Sequence, residues 1–260
     1  MRQQFGPVTL TAQGQVAVIA LSHPQTVNAL SSAMMAGLHR ALDQVEGQDF
    51  RALILTGEGR GFCSGADLNE LPKRQAVGAG ETLEQLYHPA LRRLRDLKMP
   101  LVTAINGPAV GIGVSFALMG DLTVASASAY FLLSFSNIGL VPDGGATWLL
   151  PRLIGLARAR EMALLAEKLP AQRALEWGLI NRVADDNRLM EEALALAQRL
   201  VEGPAALSLT RKLFWESPHS SHEEQLNRER AAQSQAGATQ DFREGLAAFQ
   251  QKRPPHFSGE

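Results

Sequence analysis

Cysteine is almost missing: Cys63 stands alone in 260 residues. An intrachain disulfide is therefore excluded, and a reducing compartment, the cytoplasm, is the expectation. No charge of either sign is in excess, with 25 Lys and Arg against 26 Asp and Glu. That balance supplies no general field for nucleic acid or an anionic membrane, so neither is expected as a partner. The segment Met1–Pro7 has no apolar signal core, and the uncharged run from Leu101 to Gly120 is broken by Asn106-Gly107-Pro108. A buried strand and helix fit that run better than a membrane span. The six histidines show no metal-ligand spacing, and no Gly-x-Gly-x-x-Gly dinucleotide fingerprint is present.

What is present reads as repeated strand, turn and helix units, which predict a layered α/β fold rather than a sandwich. The length permits one large domain or a domain with an appendage. Val8, Leu10, Val16, Val18 and Ala20 alternate around Gln13-Gly14-Gln15 and predict a half-buried hairpin. Met34, Leu38, Leu42 and Val45 predict a helix capped by Ser31 or Ser32. Strands are expected over 51–56, 101–105 and 121–125, and a helix over 82–98 despite His88-Pro89. Glu70 to Gly80 reads as a ligand-covering loop or a solvated linker. The last third carries helical apolar spacing over 156–165, 171–177, 189–201, 204–215, 223–236 and 241–251, as amphipathic stripes that need a surface to pack on.

Two glycine-bearing turns stand out. After the apolar run Leu101–Ile105 comes Asn106-Gly107-Pro108-Ala109-Val110-Gly111-Ile112-Gly113, opening an uncharged helical stretch that lasts until Asp121. Glycine there leaves the first amides of the helix bare, and they have no intrahelical acceptor. Ala52–Gly57 leads in the same way into Phe62-Cys63-Ser64-Gly65-Ala66-Asp67-Leu68. Either the glycines serve close packing, or the two sets of amides together hold one oxyanion.

These two turns, with Gly139-Leu140-Val141-Pro142-Asp143-Gly144-Gly145, resemble in order and spacing the crotonase (enoyl-CoA hydratase/isomerase) superfamily. The likeness runs from about Val16 to Phe257 and includes Gly245-Leu246-Ala247-Ala248-Phe249 and Lys252-Arg253. It implies an α/β fold, a crotonase-type ββα spiral core over residues 1–200 with a CoA-thioester site, and a C-terminal helical oligomerisation region over 201–260. It further implies a homotrimer or dimer of trimers, with coenzyme A as part of the substrate and no separate cofactor or metal.

The resemblance assigns the oxyanion donors to the backbone amides of Ala66 and Ile112. Cys63, Ser64, Gly65, Asp67 and Leu68 would form the loop along the coenzyme, Gly111, Ser115, Phe116 and Phe135 the acyl side, and Phe249 and Lys252 a nucleotide contact across subunits. A basic residue common in the family three places before Asn28 is here Gln25. Hydratases of the family carry glutamates where this chain has Ser115 and Phe135, so their acid/base pair is missing. Asp143 remains, either as the cap of the following helix or as the single acid/base of an isomerase. The run from Val141 to Arg152 is similar to isomerases of bacterial phenylacetate breakdown. One carboxyl suffices to carry a proton between two carbons, whereas hydration must also activate a water. Apolar walls around Asp143 should raise its pKa. The expected activity is thus a double-bond shift in an acyl-CoA thioester; hydration, decarboxylation or thioester hydrolysis on the same scaffold, and acyl-CoA binding without catalysis, are the alternatives.

Overall fold

Short Val, Ile and Leu runs closed by Gly or Pro become the strands, and the segments with helical spacing cover them. The computed structural model describes residues 2–70 and 78–260. It begins with β1 (Arg2–Gln4), β2 (Val8–Gln13), β3 (Val16–Leu21), α1 (Ser32–Glu46) and β4 (Ala52–Gly57). Then follow α2 (Ala79–Thr82), α3 (His88–Arg95), β5 (Leu101–Ile105), β6 (Ala109–Val110), α4 (Ile112–Ala117), β7 (Leu122–Ser126) and β8 (Tyr130–Leu132). The remainder is α5 (Ala146–Leu165), β9 (Leu169–Pro170), α6 (Ala171–Trp177), β10 (Arg182–Ala184), α7 (Leu189–Val201), α8 (Ala206–Glu216), α9 (His222–Gly237) and α10 (Gln240–Gln251). Most of the loop expected over Glu70–Gly80 lies outside the described residues.

The described strands form a seven-stranded sheet in the order β1-β2-β3-β4-β5-β7-β10 and a small sheet β6-β8-β9. β1, β2 and β3 are antiparallel; from β3 onward the large sheet is parallel, with Val18 opposite Ile54 and Ile54 opposite Val102. Parallel strands need crossovers that place cover on the sheet faces. Leu10, Ala17, Ile19, Leu53 and Leu55 pack with α1 on one face, while Val16, Val18, Ile54 and Val102 pack with Leu189, Ala193, Leu196 and Val201 of α7 on the other. The hairpin is consequently not half-buried as its alternation suggested: every residue of β3 is buried. Val8 and Leu10 pair with Leu21 and Ile19, on the face opposite to Val16 and Val18.

Three further elements differ from the sequence reading. The helix expected across 82–98 is split by a π-turn, Leu83–Tyr87, before Pro89. Proline has no N–H for the α ladder and its ring crowds the carbonyl four residues back, so the wider turn accommodates it. The central helix α4 is only six residues long. The fifth helix starts at Ala146 rather than at Leu156, and Gly155 (φ 77°, ψ 159°) interrupts it there.

Arg211 fixes α8 to the core. Buried, it donates to Asp121 Oδ2 at 2.7 Å and to the carbonyls of Leu94 (2.6 Å), Leu97 (3.1 Å) and Arg95. A guanidinium can be buried only when its donors are spent in this way. No described helix is long and apolar enough to cross a membrane.

Candidate active site

β4 and β5 are adjacent and parallel, so the loops that follow Gly57 and Ile105 leave the same edge of the sheet. In open α/β sheets that edge is where ligands are bound. The loops are zipped together by backbone: Phe62 and Cys63 donate to the Pro108 carbonyl (3.1 and 3.0 Å), and Val110 donates to the Cys63 carbonyl (2.9 Å). Gly65 (φ +95°) must be glycine, because a Cβ there would lie 2.8 Å from the Val110 oxygen. Gly113 lets α4 close on the other loop, a Cβ there meeting the Cys63 oxygen at 2.6 Å.

The amides at the ends of this zipper are left over. Neither the Ala66 nor the Ile112 N–H donates to another described residue, although the Gly65 carbonyl is taken by Leu30 (2.8 Å) and the Gly111 amide by Leu132 (2.8 Å). An unpaired backbone donor next to a buried loop is unusual and calls for a partner.

Asp143 lies on the turn between the 3₁₀ turn Ser134–Ile138 and α5. It does not cap that helix: Gly145 (φ 84°) occupies the cap position and no side chain bonds the first turn. Its Oδ1 is buried without a hydrogen-bond partner among the described residues. Burial pushes the carboxyl up to about 6, against the pull of the nearby His88. His88 is held by Glu84 (2.9 Å), itself gripped by Arg92 (2.6 and 2.9 Å). A cavity of about 240 Å³ opens behind the turn, bounded by His88, Leu91, Met119, Gly144 and Trp148. A larger groove of about 740 Å³ between β7, α5 and α8 is lined by none of the candidate catalytic or substrate-binding residues.

The other sequence candidates are placed as follows. Cys63 is fully buried and burial pushes its thiol up to about 12, so it is a structural group and no nucleophile. Ser64 donates to the Thr26 carbonyl at 2.7 Å. Asp67 accepts from the amide (3.0 Å) and side chain (3.1 Å) of Asn69, shaping the loop, while Leu68 is exposed. Ser115 and Phe116 are fully buried; Phe135 is nearly so, its ring tip beside Gly111. Phe249 and Lys252, on and just after α10, make no hydrogen bond or ion pair to either loop among the described residues, and Arg253 is engaged by Glu244 (2.6 and 2.8 Å).

One organising residue escaped the sequence reading. Asn28, buried and left-handed (φ 57°), donates to the carbonyls of Gly61 (2.8 Å), Glu58 (3.0 Å) and Phe62 (3.3 Å), and accepts from the His23 amide (2.8 Å). It fastens the start of the Cys63 loop. Asparagine is the side chain that tolerates this conformation and bonds backbone on both sides. In the sequence it shows only as one polar residue in a turn.

The fold is that of the crotonases. A solved enoyl-CoA hydratase from Bacillus anthracis superposes with a TM-score of 0.90 at 31% identity, covering 98% of this chain and 100% of that one. Residues 11–260 match the family model described as enoyl-CoA hydratase/isomerase, and the chain belongs to that family. It is 43% identical over 249 residues to the 1,2-epoxyphenylacetyl-CoA isomerase of Escherichia coli K12, covering 94% of this chain and 95% of that protein. To the 2,3-dehydroadipyl-CoA hydratase of the same organism it is 33% identical, covering 96% and 98%. The protein is an enzyme of the crotonase family, whose members act on acyl-CoA substrates.

Proposed function

We propose that this enzyme moves a carbon–carbon double bond of an acyl-CoA thioester from the 3,4 to the 2,3 position, with Asp143 as its single acid/base. The carboxylate of Asp143 takes a proton from C2, the electrons pass into the thioester carbonyl, and the resulting enolate oxygen is held by the Ala66 and Ile112 amides. The enolate then collapses as the protonated Asp143 returns the proton to C4, so no water is consumed. Coenzyme A enters and leaves as part of the substrate.

The observation that carries this reading is the state of Asp143: a half-buried carboxyl whose Oδ1 is enclosed and has no partner among the described residues, with its pKa raised to about 6. A base poised near the working pH is what proton shuttling between carbons requires. Ser115 and Phe135 add support, since neither can serve as a second acid/base group. Similarity to the E. coli isomerase favours a ring-derived acyl group. A homotrimer or dimer of trimers is part of the same proposal, with Phe249 and Lys252 meeting the nucleotide of a neighbouring copy.

The test is turnover of 3-enoyl-CoA and 2-enoyl-CoA side by side. Conversion of the first without incorporation of solvent oxygen supports isomerisation; a hydroxyacyl product from the second indicates hydration. Asp143→Asn should lower isomerisation by about a hundredfold to ten-thousandfold, the range of general acid–base catalysis. Turnover near that of the native enzyme would remove Asp143 from the reaction.

A further inference from the structure

The geometry points to Ser115 as a positioning residue that keeps the Asp143 carboxyl inside the protein and in register with the Ile112 amide, an inference that rests on the role of Asp143 proposed above. The segment bearing Asp143 has little reason of its own to face inward. Val141, two residues before, is 78% exposed, Leu140 is exposed as well, and so is Gly145 on the other side. A turn with such neighbours would let a carboxylate swing to water, where it is better solvated.

Among the described residues two hydrogen bonds anchor Asp143 itself, both to its carbonyl. The Ala146 amide donates at 3.0 Å, within the same turn. Ser115 Oγ donates at 2.8 Å from α4, 28 residues away in sequence. A serine inside a helix ordinarily bonds the carbonyl one turn back; this one reaches across to another element. Contact at the next residue tightens the latch. Gly144 (φ +58°) lies so close that a Cβ on it would stand 2.7 Å from Ser115 Cβ and 3.0 Å from Ile112 Cγ1. Ile112 and Ser115 are three residues apart on α4, hence on one face of it. One short helix therefore carries both the free amide and the hydroxyl that anchors the acid group, so the distance between them is set by a rigid body rather than by a loop.

Ser115→Ala removes the cross-link and leaves the helix intact, alanine being the best helix former. A misplacement of about 1 Å at a reacting group costs on the order of a hundredfold in rate. The expected result is a fall of about tenfold to a hundredfold in kcat for 3-enoyl-CoA with KM within about twofold, the pattern of lost transition-state interaction. The acid limb of the pH profile, set by a group near 6, should also move toward the ordinary carboxylate range of about 4 as Asp143 gains water. His88, with Glu84 and Arg92 behind it, faces Asp143 from α3 and keeps these contacts in the variant. A merely structural serine would lower activity without moving the acid limb.

Native-like kcat in Ser115→Ala overturns the inference, and so does a loss of kcat with the acid limb still near 6. Ser115→Cys, which keeps the bulk but donates weakly, should give the same shift in reduced measure; if the alanine variant does not fold, native behaviour of the cysteine variant overturns the inference. Full activity in Asp143→Asn would bring down the isomerase reading and this inference together, whereas an inactive Asp143→Asn beside a silent Ser115→Ala overturns this one alone.

Discussion

At the scale of single residues, the acid group of this site is also a strain on the fold. Asp143 has a folded pKa of about 6, above the value of about 3.9 for an unfolded chain. The native state therefore binds the proton more tightly, and the group costs nothing below pH ~4. Its cost grows as pH rises through 4 to 6 and is complete above that. Asp143→Asn should thus be more stable than the native protein at pH 8, by roughly 1 to 2 kcal/mol once screening of the partly exposed carboxyl is allowed for, and equal to it at pH ~4. Urea unfolding at the two pH values measures this; equal midpoints at pH 8 would show that Asp143 is well solvated. Asp143 was a candidate in the sequence as the carboxyl between Pro142 and Gly144-Gly145, but its alternative as a helix cap was settled only by Gly145 taking that position. His88 was not legible as its neighbour, because their approach depends on α3 packing over the turn, which no local pattern encodes.

At the scale of elements, local chemistry announced most boundaries and packing decided the rest. β5, α6 and α7 match their expected spans, and Ser31 caps α1 by accepting from the Met34 amide at 3.2 Å. The glycine turns were read correctly as places of close approach: the glycines allow the packing, and the packing leaves the amides of Ala66 and Ile112 without partners among the described residues, which is what the proposed oxyanion contact would use. Gly113 separates the two effects. By helix propensity alone Gly113→Ala should stabilise α4 by about 1 kcal/mol. The added Cβ would instead stand 2.6 Å from the Cys63 oxygen and 3.0 Å from its Cβ and Sγ, and a backbone carbonyl in a zippered loop cannot step aside alone. Overpacking of this kind typically costs about 1 to 3 kcal/mol. We expect Gly113→Ala to lower the unfolding midpoint and to reduce kcat by about tenfold or more, since spreading the loops moves one amide relative to the other. An enzyme both stabilised and fully active would show that the loops tolerate separation.

At the scale of the whole molecule, the sequence signalled amphipathic helices in want of a surface without saying which surface, and the fold answers for only some of them. α7 lies on the sheet and α8 is fixed through Arg211. α10 keeps Phe242 (53% exposed), Leu246 (48%) and Phe249 (83%) on one stripe, spaced four and three residues apart. Covering three such side chains stabilises by roughly 3 to 6 kcal/mol per chain, near the lower end of the 4 to 15 kcal/mol that association itself costs. The stripe alone does not make a tight dimer. A closed assembly in which every copy also covers the exposed Leu164 and Leu165 at the end of α5 and Phe214 of α8 gains several such contributions at once. If the assembly is the proposed homotrimer or dimer of trimers, sedimentation at micromolar concentration should give a mass three or six times that of the 28.1 kDa chain. Leu246→Asp with Phe249→Asp should reduce it toward the single chain, because two carboxylates then face an apolar contact. The same variant should raise KM for the acyl-CoA more than it lowers kcat, since the proposed contribution of α10 is to hold the nucleotide of a neighbouring copy while Asp143 and the two amides remain within one chain. A native protein that sediments as a single chain, or a monomeric variant with unchanged KM, would refute the shared site.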